Sequence, residues 1–96
     1  MSAYLIVELG VHDAAGFEEY RLRVPELIRK HGGEYIVRGG ATEVIEGSWE
    51  PRRLVLFRFP DRKSIRAFFD DPEYAELKAI RLRTCDSTIV AVDGVD

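Results

Sequence analysis

Apolar residues change their spacing several times along this chain, and the order of those changes limits the folds open to it. Residues 4–9 are rich in strand formers and end at Gly10. Residues 17–28 then carry apolar side chains every three or four positions, the period of a helix. A second and a third strand-like segment come next, and a helical period followed by a last strand-like segment completes the chain. The predicted order is therefore strand, helix, strand, strand, helix, strand.

The first helix is predicted over residues 14–30. Asp13 offers an N-cap, and the inner face would carry five residues: Phe17, Tyr20, Val24, Leu27 and Ile28. Pro25 lies inside this pattern, where it removes one backbone donor, so we expect a kink or a break there. His31 closes the last turn, and Gly32 is placed to be the left-handed C-cap. The first glycine pair is thus predicted to stop the helix and turn the chain.

The second glycine pair, Gly39-Gly40, lies within strand-like sequence. We predict a strand over residues 34–38 that continues through residues 42–46, with the glycines as a bulge or bend. Turn residues follow, and residues 54–59 form the third strand, so that the two strands make a hairpin. On this pattern Arg38 shares a side with Ile36.

The remainder of the chain predicts two helical segments and a last strand. Pro60-Asp61 ends the third strand and caps a helix. The apolar stripe of this helix consists of Ile65, Phe68 and Phe69. Asp71-Pro72 is an N-cap followed by proline at the first helical position, so a fresh helix begins there. Its inner face would carry Tyr74, Leu77, Ile80 and Arg81. Residues 88–92 form the last strand.

This order is typical of an α+β, ferredoxin-like βαββαβ fold, with helices on one face of a four-stranded antiparallel sheet. At 96 residues the chain fits a single domain, residues 1–96. The other face of the sheet would then carry four large apolar side chains: Tyr4, Ile6, Leu54 and Leu56. Burying each contributes about 1.5–3 kcal/mol relative to exposure. We therefore expect a homodimer formed through this open sheet face.

Composition excludes several classes of function. The net charge is −3 with both signs interspersed, which argues against nucleic-acid binding. No apolar run is long enough to span a bilayer, and the N-terminus lacks the basic region of a signal peptide. Cys85 is the single cysteine, so no internal disulfide can form, and we expect it to be structural. A cytoplasmic location is the simplest expectation.

Three residues are candidates for ligand binding. His31 could act as a general base, or it could be a helix-terminal residue that interacts with the last carbonyls. Arg38 could bind a substrate carboxylate in bidentate fashion, or it could pair with Glu8 or with Glu46 across the dimer. Arg58 could reach the same cleft from the opposite end, or it could form an interface ion pair.

Other chemistry leaves no signature in the sequence. The two histidines and one cysteine show no metal-ligand spacing, and neither a phosphate loop nor a nucleophile elbow is present. We therefore expect no metal and no cofactor. Trp49 lies in turn sequence, where an aromatic residue more often anchors an interface or packs over a loop than binds a cofactor.

Several short motifs together resemble the domain-of-unknown-function 1330 family. They span nearly the whole chain: His31-Gly32-Gly33, Arg38-Gly39-Gly40, the run from Glu46 to Arg53, Phe59-Pro60-Asp61, Asp71-Pro72-Glu73-Tyr74 and Arg81. That family is similar to the dimeric α/β-barrel superfamily, which holds cofactor-free monooxygenases, muconolactone isomerases and haem-binding relatives. The resemblance implies a face-to-face dimer. It implies no particular reaction, because activity carried across would be fold-level analogy.

Two functions from different classes fit these patterns. The chain could be a small-molecule binder or enzyme, with a cleft between helices and sheet and polar contacts from His31, Arg38 and Arg58. A cofactor-independent monooxygenase or isomerase is the version suggested by superfamily analogy. Alternatively, the chain could be a non-catalytic dimeric interaction or regulatory module whose polar residues only specify the interface. Whether it is an enzyme is left open by the sequence.

Overall fold

The computed structural model describes all residues, 1–96, and contains seven elements. They are β1 (Ala3–Val11), α1 (Ala14–Lys30), β2 (Glu34–Arg38), β3 (Arg53–Phe59), α2 (Arg62–Asp70), α3 (Pro72–Thr84) and β4 (Cys85–Asp93). The strands form one antiparallel sheet in the order β2-β3-β1-β4. This confirms the predicted ferredoxin-like α+β fold. None of the helices combines the length and apolar composition needed to cross a bilayer.

Alternation along the two central strands separates a buried face from an open one. The side chains buried beneath the helices are Ala3, Leu5, Val7, Leu9, Val55, Phe57 and Phe59. The helices meet them with apolar stripes at the predicted spacing, including Phe17, Val24, Leu27, Ile28, Ile65, Phe68, Tyr74, Leu77 and Ile80. The inward-facing residues of the strands and the apolar stripes of the helices therefore pack into one core, which lies between the helical layer and the sheet.

Helix α1 begins and ends where the sequence predicts. The Asp13 carboxylate accepts a hydrogen bond from the Gly16 backbone N–H at 3.0 Å. At the other end Gly32 has a φ of 81°, and the Gly32 and Gly33 backbone N–H groups donate to carbonyls of the last turn at 3.0 and 2.9 Å. These two bonds are those of a Schellman motif. Pro25 does not break the helix, which is continuous from residue 14 to residue 30.

The predicted restart of the helix at Pro72 is confirmed. Asp71 ends α2 and also caps α3, because its carboxylate accepts a hydrogen bond from the Glu73 backbone N–H at 2.9 Å. Pro72 occupies the first turn, where its missing N–H costs nothing. The two helices therefore meet at a corner that is fixed by one aspartate.

Strand β2 is shorter than predicted. It ends at Arg38, and residues 42–46 lie in an irregular segment, residues 39–52, rather than in a continued strand. Gly39, with a φ of 71°, turns the chain away from the sheet. Its backbone N–H donates the last hydrogen bond between the two strands, to the Leu54 carbonyl at 2.8 Å. Since β3 begins only at Arg53, a longer β2 would have no partner strand.

The bulge in β2 also differs from the prediction. It lies between Tyr35 and Val37, not at the glycine pair. After this shift Val37 is opposite Leu56 on the open face, while Arg38 is opposite Val55 on the helix-facing side. The predicted sharing of one side by Ile36 and Arg38 is therefore wrong, because the extra residue reverses the alternation.

An apolar row crosses the open face of the sheet. Register places Val37 opposite Leu56, Leu56 opposite Ile6 and Ile6 opposite Val90, one residue from each strand. Leu56 and Ile6 are half-buried, while Val37 and Val90 are 37% and 52% exposed. The chain on its own thus leaves a stripe of aliphatic side chains without a covering layer.

Candidate functional site

A cavity of about 50 Å³ lies between the helices and the buried face of the sheet. All seven elements contribute to its lining. Most of the lining is apolar or aromatic: Leu5, Val7, Leu9, Phe17, Tyr20, Val24, Ile28, Tyr35, Val55, Phe57, Phe68, Phe69, Tyr74 and Ile89. The other lining residues are four arginines, Arg21, Arg38, Arg53 and Arg81. Such a cavity, apolar with a few directed polar groups, has the composition of a small-molecule site.

A hydrogen-bonded network forms one polar wall of the cavity. Arg81 donates from Nε to the Tyr74 hydroxyl at 3.1 Å, and from Nη1 to the Ser87 hydroxyl. The Tyr74 hydroxyl also lies 2.9 Å from that of Tyr20. Tyr74 and Arg81 are 1% and 7% exposed, so this guanidinium is buried without a carboxylate and is satisfied by hydroxyls.

Two tyrosines of the cavity, Tyr20 and Tyr35, are held in their neutral form. Burial raises the pKa of Tyr20 well above its usual range, and the neighbouring Tyr74 raises it further. Burial also raises the pKa of Tyr35, while the charges of Arg38 and Arg53 oppose that rise. These hydroxyls can therefore donate and accept hydrogen bonds at neutral pH, but they are poor bases.

Arg38 and Arg53 both lie at the β2–β3 corner of the sheet. Arg38 lies over the Tyr35 ring, with its guanidinium carbon 4.3 Å from the ring centroid. Arg53 packs against Gly39, where an added Cβ would come within 2.7 Å of the guanidinium. The positive φ of Gly39 favours glycine there, and the absence of a side chain leaves room for the Arg53 guanidinium. The Arg53 Nε is buried and has no hydrogen-bond partner.

The predicted candidate Arg38 thus lines the cavity, whereas His31 lies elsewhere. His31 joins the end of α1 to the start of α3, with Nε2 2.8 Å from Oδ2 of Asp71. Lys30 donates to the same oxygen at 2.9 Å. The Glu73 backbone N–H, followed by His31 and Lys30, lowers the pKa of Asp71 far below its usual range. His31 therefore belongs to a capping cluster, and that cluster ties two helices together.

This cluster predicts acid sensitivity. The folded-state pKa of Asp71 is depressed, so its stabilising contribution is complete above its ordinary value of 3.8 and is lost as the pH falls through and below that value. We expect the Asp71→Asn variant to have a lower melting temperature at neutral pH. Its melting temperature should also fall less than that of the wild type between about pH 5 and about pH 3.

The neighbouring Asp70 provides the matched control, because it is exposed and forms no ion pair. Thermal melts followed by circular dichroism across this pH range should show Asp70→Asn tracking the wild type. Equal pH profiles for Asp70→Asn and Asp71→Asn would contradict the role assigned to the cluster.

Arg58 lies on the opposite face of the sheet from the cavity. It is exposed, donates from Nε to the Ser2 hydroxyl at 3.2 Å, and lies 3.5 Å from the Asp96 carboxylate. The structure therefore does not bring His31, Arg38 and Arg58 together. Each occupies a different surface: the capping cluster, the cavity and the open sheet face.

Two other predicted residues have defined contacts. Cys85 is buried, its Sγ donates to the Arg81 carbonyl at 3.1 Å, and burial raises the pKa of the thiol. Trp49 is exposed, and its Nε1 donates to the Glu8 carboxylate at 3.2 Å. The Arg52 backbone N–H donates to the same carboxylate and lowers its pKa. The loop of residues 39–52 is thereby anchored at one edge of the open face.

Sequence reasoning misses Arg53 as a site residue, although a signal was present. In β3 the residues that alternate with the predicted open-face pair are Arg53, Val55, Phe57 and Phe59. An arginine in register with three buried apolar residues is expected to reach the helix-facing side. The Arg38 side chain carried no such signal, because the bulge that reorients it is not marked by a glycine.

The sequence and the fold of this chain are both similar to those of known proteins. The family model described as "Domain of unknown function (DUF1330)" matches residues 2–95. No curated protein matches the sequence. A protein of unknown function from Rhodopseudomonas palustris shares the fold with a TM-score of 0.79 at 13% identity, over 99% of this chain and 83% of that one.

Two further solved structures share the fold. A dimeric ferredoxin-like protein of unknown function from Jannaschia sp. CCS1 superposes with a TM-score of 0.71 at 13% identity, over 98% of this chain and 100% of the other. SnoaB, a cofactor-independent oxygenase from Streptomyces nogalater, superposes with a TM-score of 0.67 at 12% identity, over 99% and 94%. At these identities the likeness establishes the fold alone.

Proposed function

The chain belongs to the domain-of-unknown-function 1330 family, and we propose that this member binds a small molecule in the cavity between its helices and its sheet. The observation that carries the proposal is the composition of the lining, in which 14 of 18 residues are hydrophobic and the other four are arginines. Apolar walls favour an organic ligand, and the few charged groups would orient it.

The shape of the site bears on the size of that ligand. The cavity holds about 50 Å³, which is small for a metabolite. It adjoins an open groove of about 510 Å³ that shares Leu9, Phe17, Arg21 and Arg53 with it. One group of the ligand would therefore fill the cavity, and the rest would lie in the groove beside Arg53.

The lining favours binding over acid–base chemistry by side chains. It contains no histidine and no carboxylate, and the pKa of Tyr20 is raised by burial. The cofactor-independent oxygenase from Streptomyces nogalater shares the fold, but transfer of its activity would rest on fold-level analogy. We therefore propose ligand binding without assigning a reaction.

We also propose that the working form is a homodimer joined through the open sheet face. The apolar row of Val37, Leu56, Ile6 and Val90 needs a covering layer. A second copy would supply the same row, and twofold pairs are the commonest oligomers. The neighbour from Jannaschia sp. CCS1 is described as dimeric, which supports this choice of partner.

A reducing compartment suits such a protein. Its one cysteine, Cys85, is free and buried, so no disulfide stabilises the fold. A cytoplasmic location is accordingly part of the proposal.

Filling the cavity tests the proposed site. Val24 lines the cavity from α1, whereas Leu22 on the same helix is 65% exposed. Compounds from a metabolite library that raise the melting temperature of the wild type should lose most of this effect on Val24→Phe. They should keep it on Leu22→Phe, the matched control. Overpacking at Val24 costs about 1–3 kcal/mol, so the comparison uses the ligand-induced shift rather than the absolute melting temperature.

The result that would overturn the proposal is equally specific. If no compound stabilises the wild type, or if stabilising compounds act equally on Val24→Phe, the cavity is not the binding site.

A further inference from the structure

The cavity concentrates positive charge in a chain whose net charge is negative. Its lining carries four arginines and no aspartate or glutamate, although the chain as a whole has a net charge of −3. Guanidinium groups remain charged at any physiological pH. Only Arg21 of the four pairs with a carboxylate, that of Glu18, so the cavity presents a net positive field to whatever enters it.

Three of the four arginines have partners within the chain. Arg21 donates to the Glu18 carboxylate through two hydrogen bonds of 3.0 and 2.5 Å. Arg81 is satisfied by the hydroxyls of Tyr74 and Ser87. Arg38 is stacked on the Tyr35 ring at 4.3 Å.

Arg53 is the exception. Its Nε is buried and has no hydrogen-bond partner, and the residue forms no salt bridge. A buried charged donor without an acceptor is unfavourable, so an acceptor supplied by a ligand would stabilise this site. Arg53 lines both the cavity and the adjoining groove, so that partner can arrive from the groove.

A second arginine, Arg38, lines the same cavity. In the β2–β3 register Arg38 is opposite Val55, and Arg53 is two residues from Val55 on the same face. Diagonal neighbours of this kind are within reach of long side chains. Both arginines lower the pKa of Tyr35, against the rise caused by burial, which agrees with their both lying near its hydroxyl. Gly39 keeps the corner open for the Arg53 guanidinium.

We propose that the site takes a carboxylic acid with a small apolar or aromatic body, whose carboxylate pairs with Arg53 and is supported by Arg38. This inference rests on the proposed function and names the class of ligand. A planar guanidinium matches a carboxylate through two parallel hydrogen bonds, one of them from Nε. The apolar lining would hold the body of the acid.

Matched pairs of acids and amides test the charge requirement directly. Phenylacetate, benzoate and hexanoate are compared with phenylacetamide, benzamide and hexanamide, which have the same shape without the charge. We expect at least one acid to bind about 10- to 100-fold more tightly than its amide, as judged by titration of ¹H–¹⁵N spectra. The Arg53 Nε–H signal should move with the acid, because Nε gains an acceptor.

Variants identify the arginine responsible. In Arg53→Gln the preference for acid over amide should fall to within about 2-fold, since both the charge and the pair of parallel N–H donors of the guanidinium are lost. In Arg53→Lys the charge remains but the pair of parallel N–H donors is lost, so the preference for acid over amide is expected to be intermediate. Arg83→Gln is the control, because Arg83 is exposed and lines neither the cavity nor the groove. It should behave as the wild type.

Each alternative outcome overturns the inference in a distinguishable way. Equal binding of acids and amides would refute the carboxylate while leaving the proposed cavity site intact. If neither series binds and the metabolite library also gives no hit, the proposed function fails as well. If Arg53→Gln instead changes the sedimentation of the protein, Arg53 meets a carboxylate of a second subunit and not a ligand.

Discussion

Replacing Tyr74 by alanine is expected to lower the free energy of unfolding by about 3–5 kcal/mol. Tyr74 is 1% exposed and lies at the centre of an aromatic cluster, with ring centroids 4.6 Å from Phe68 and 5.4 Å from Phe69. Truncation would leave a hole next to the existing cavity. A domain of this size has about 5–15 kcal/mol of stability, so the variant is expected to lose a large fraction of it.

A conservative variant separates packing from hydrogen bonding. Tyr74→Phe keeps the ring but removes the hydroxyl that accepts from Arg81 and contacts Tyr20. The buried Arg81 guanidinium and the hydroxyl of the half-buried Tyr20 then each lose a partner, and we expect a cost of about 1–3 kcal/mol. Urea denaturation of both variants measures these differences. Equal stability of Tyr74→Phe and the wild type would show that the hydroxyl network contributes nothing to the fold.

Placing a carboxylate on the open face is expected to dissociate the homodimer. Val90 is 52% exposed and belongs to the apolar row, opposite Ile6. In the proposed interface Val90→Glu would bury an unpaired charge in each subunit. A cost of about 3–5 kcal/mol to the dimer raises the dissociation constant by about 10²- to 10⁴-fold. Because Val90 is exposed in the single chain, the folded monomer should be retained.

Sedimentation equilibrium over a range of concentrations measures this change, and circular dichroism confirms the fold. Leu82→Glu is the matched control, since Leu82 is 61% exposed on α3, in the helical layer away from the open face. It should leave the dimer unchanged. A wild-type protein that sediments as a monomer, or a Val90→Glu variant that sediments as the wild type, would contradict the proposed interface.

Local rules predicted the helices well because their signals are local. Asp13 and Asp71 are capping residues whose side chains need only the next few backbone N–H groups. Gly32 ends α1 because a left-handed residue is required at that position. The alternation in residues 4–9 and 54–59 likewise identified the buried and open faces. Such features depend on a few neighbouring residues and can be read directly from sequence.

The second strand shows where those rules stop. Residues 42–46 contain strand formers, yet β3 begins too late to pair with them. The bulge between Tyr35 and Val37 depends on pairing with β3 and has no glycine to mark it. It reverses the direction of Arg38, so the route by which Arg38 reaches the cavity could not be predicted. The pairing register between β2 and β3, rather than local propensity, determines which side chains face the cavity at this corner of the sheet.

The proposed ligand occupies the cavity on the helix-facing side of the sheet. Methyl ¹H–¹³C spectra of protein labelled at isoleucine, leucine and valine test it, with titration of the most stabilising compound from the library or the acid panel. Methyl signals that line the cavity should shift, among them Val7, Val24, Ile28 and Val55. Those of the open face should stay in place, among them Ile6, Leu56 and Val90. Shifts confined to the open face would contradict the account.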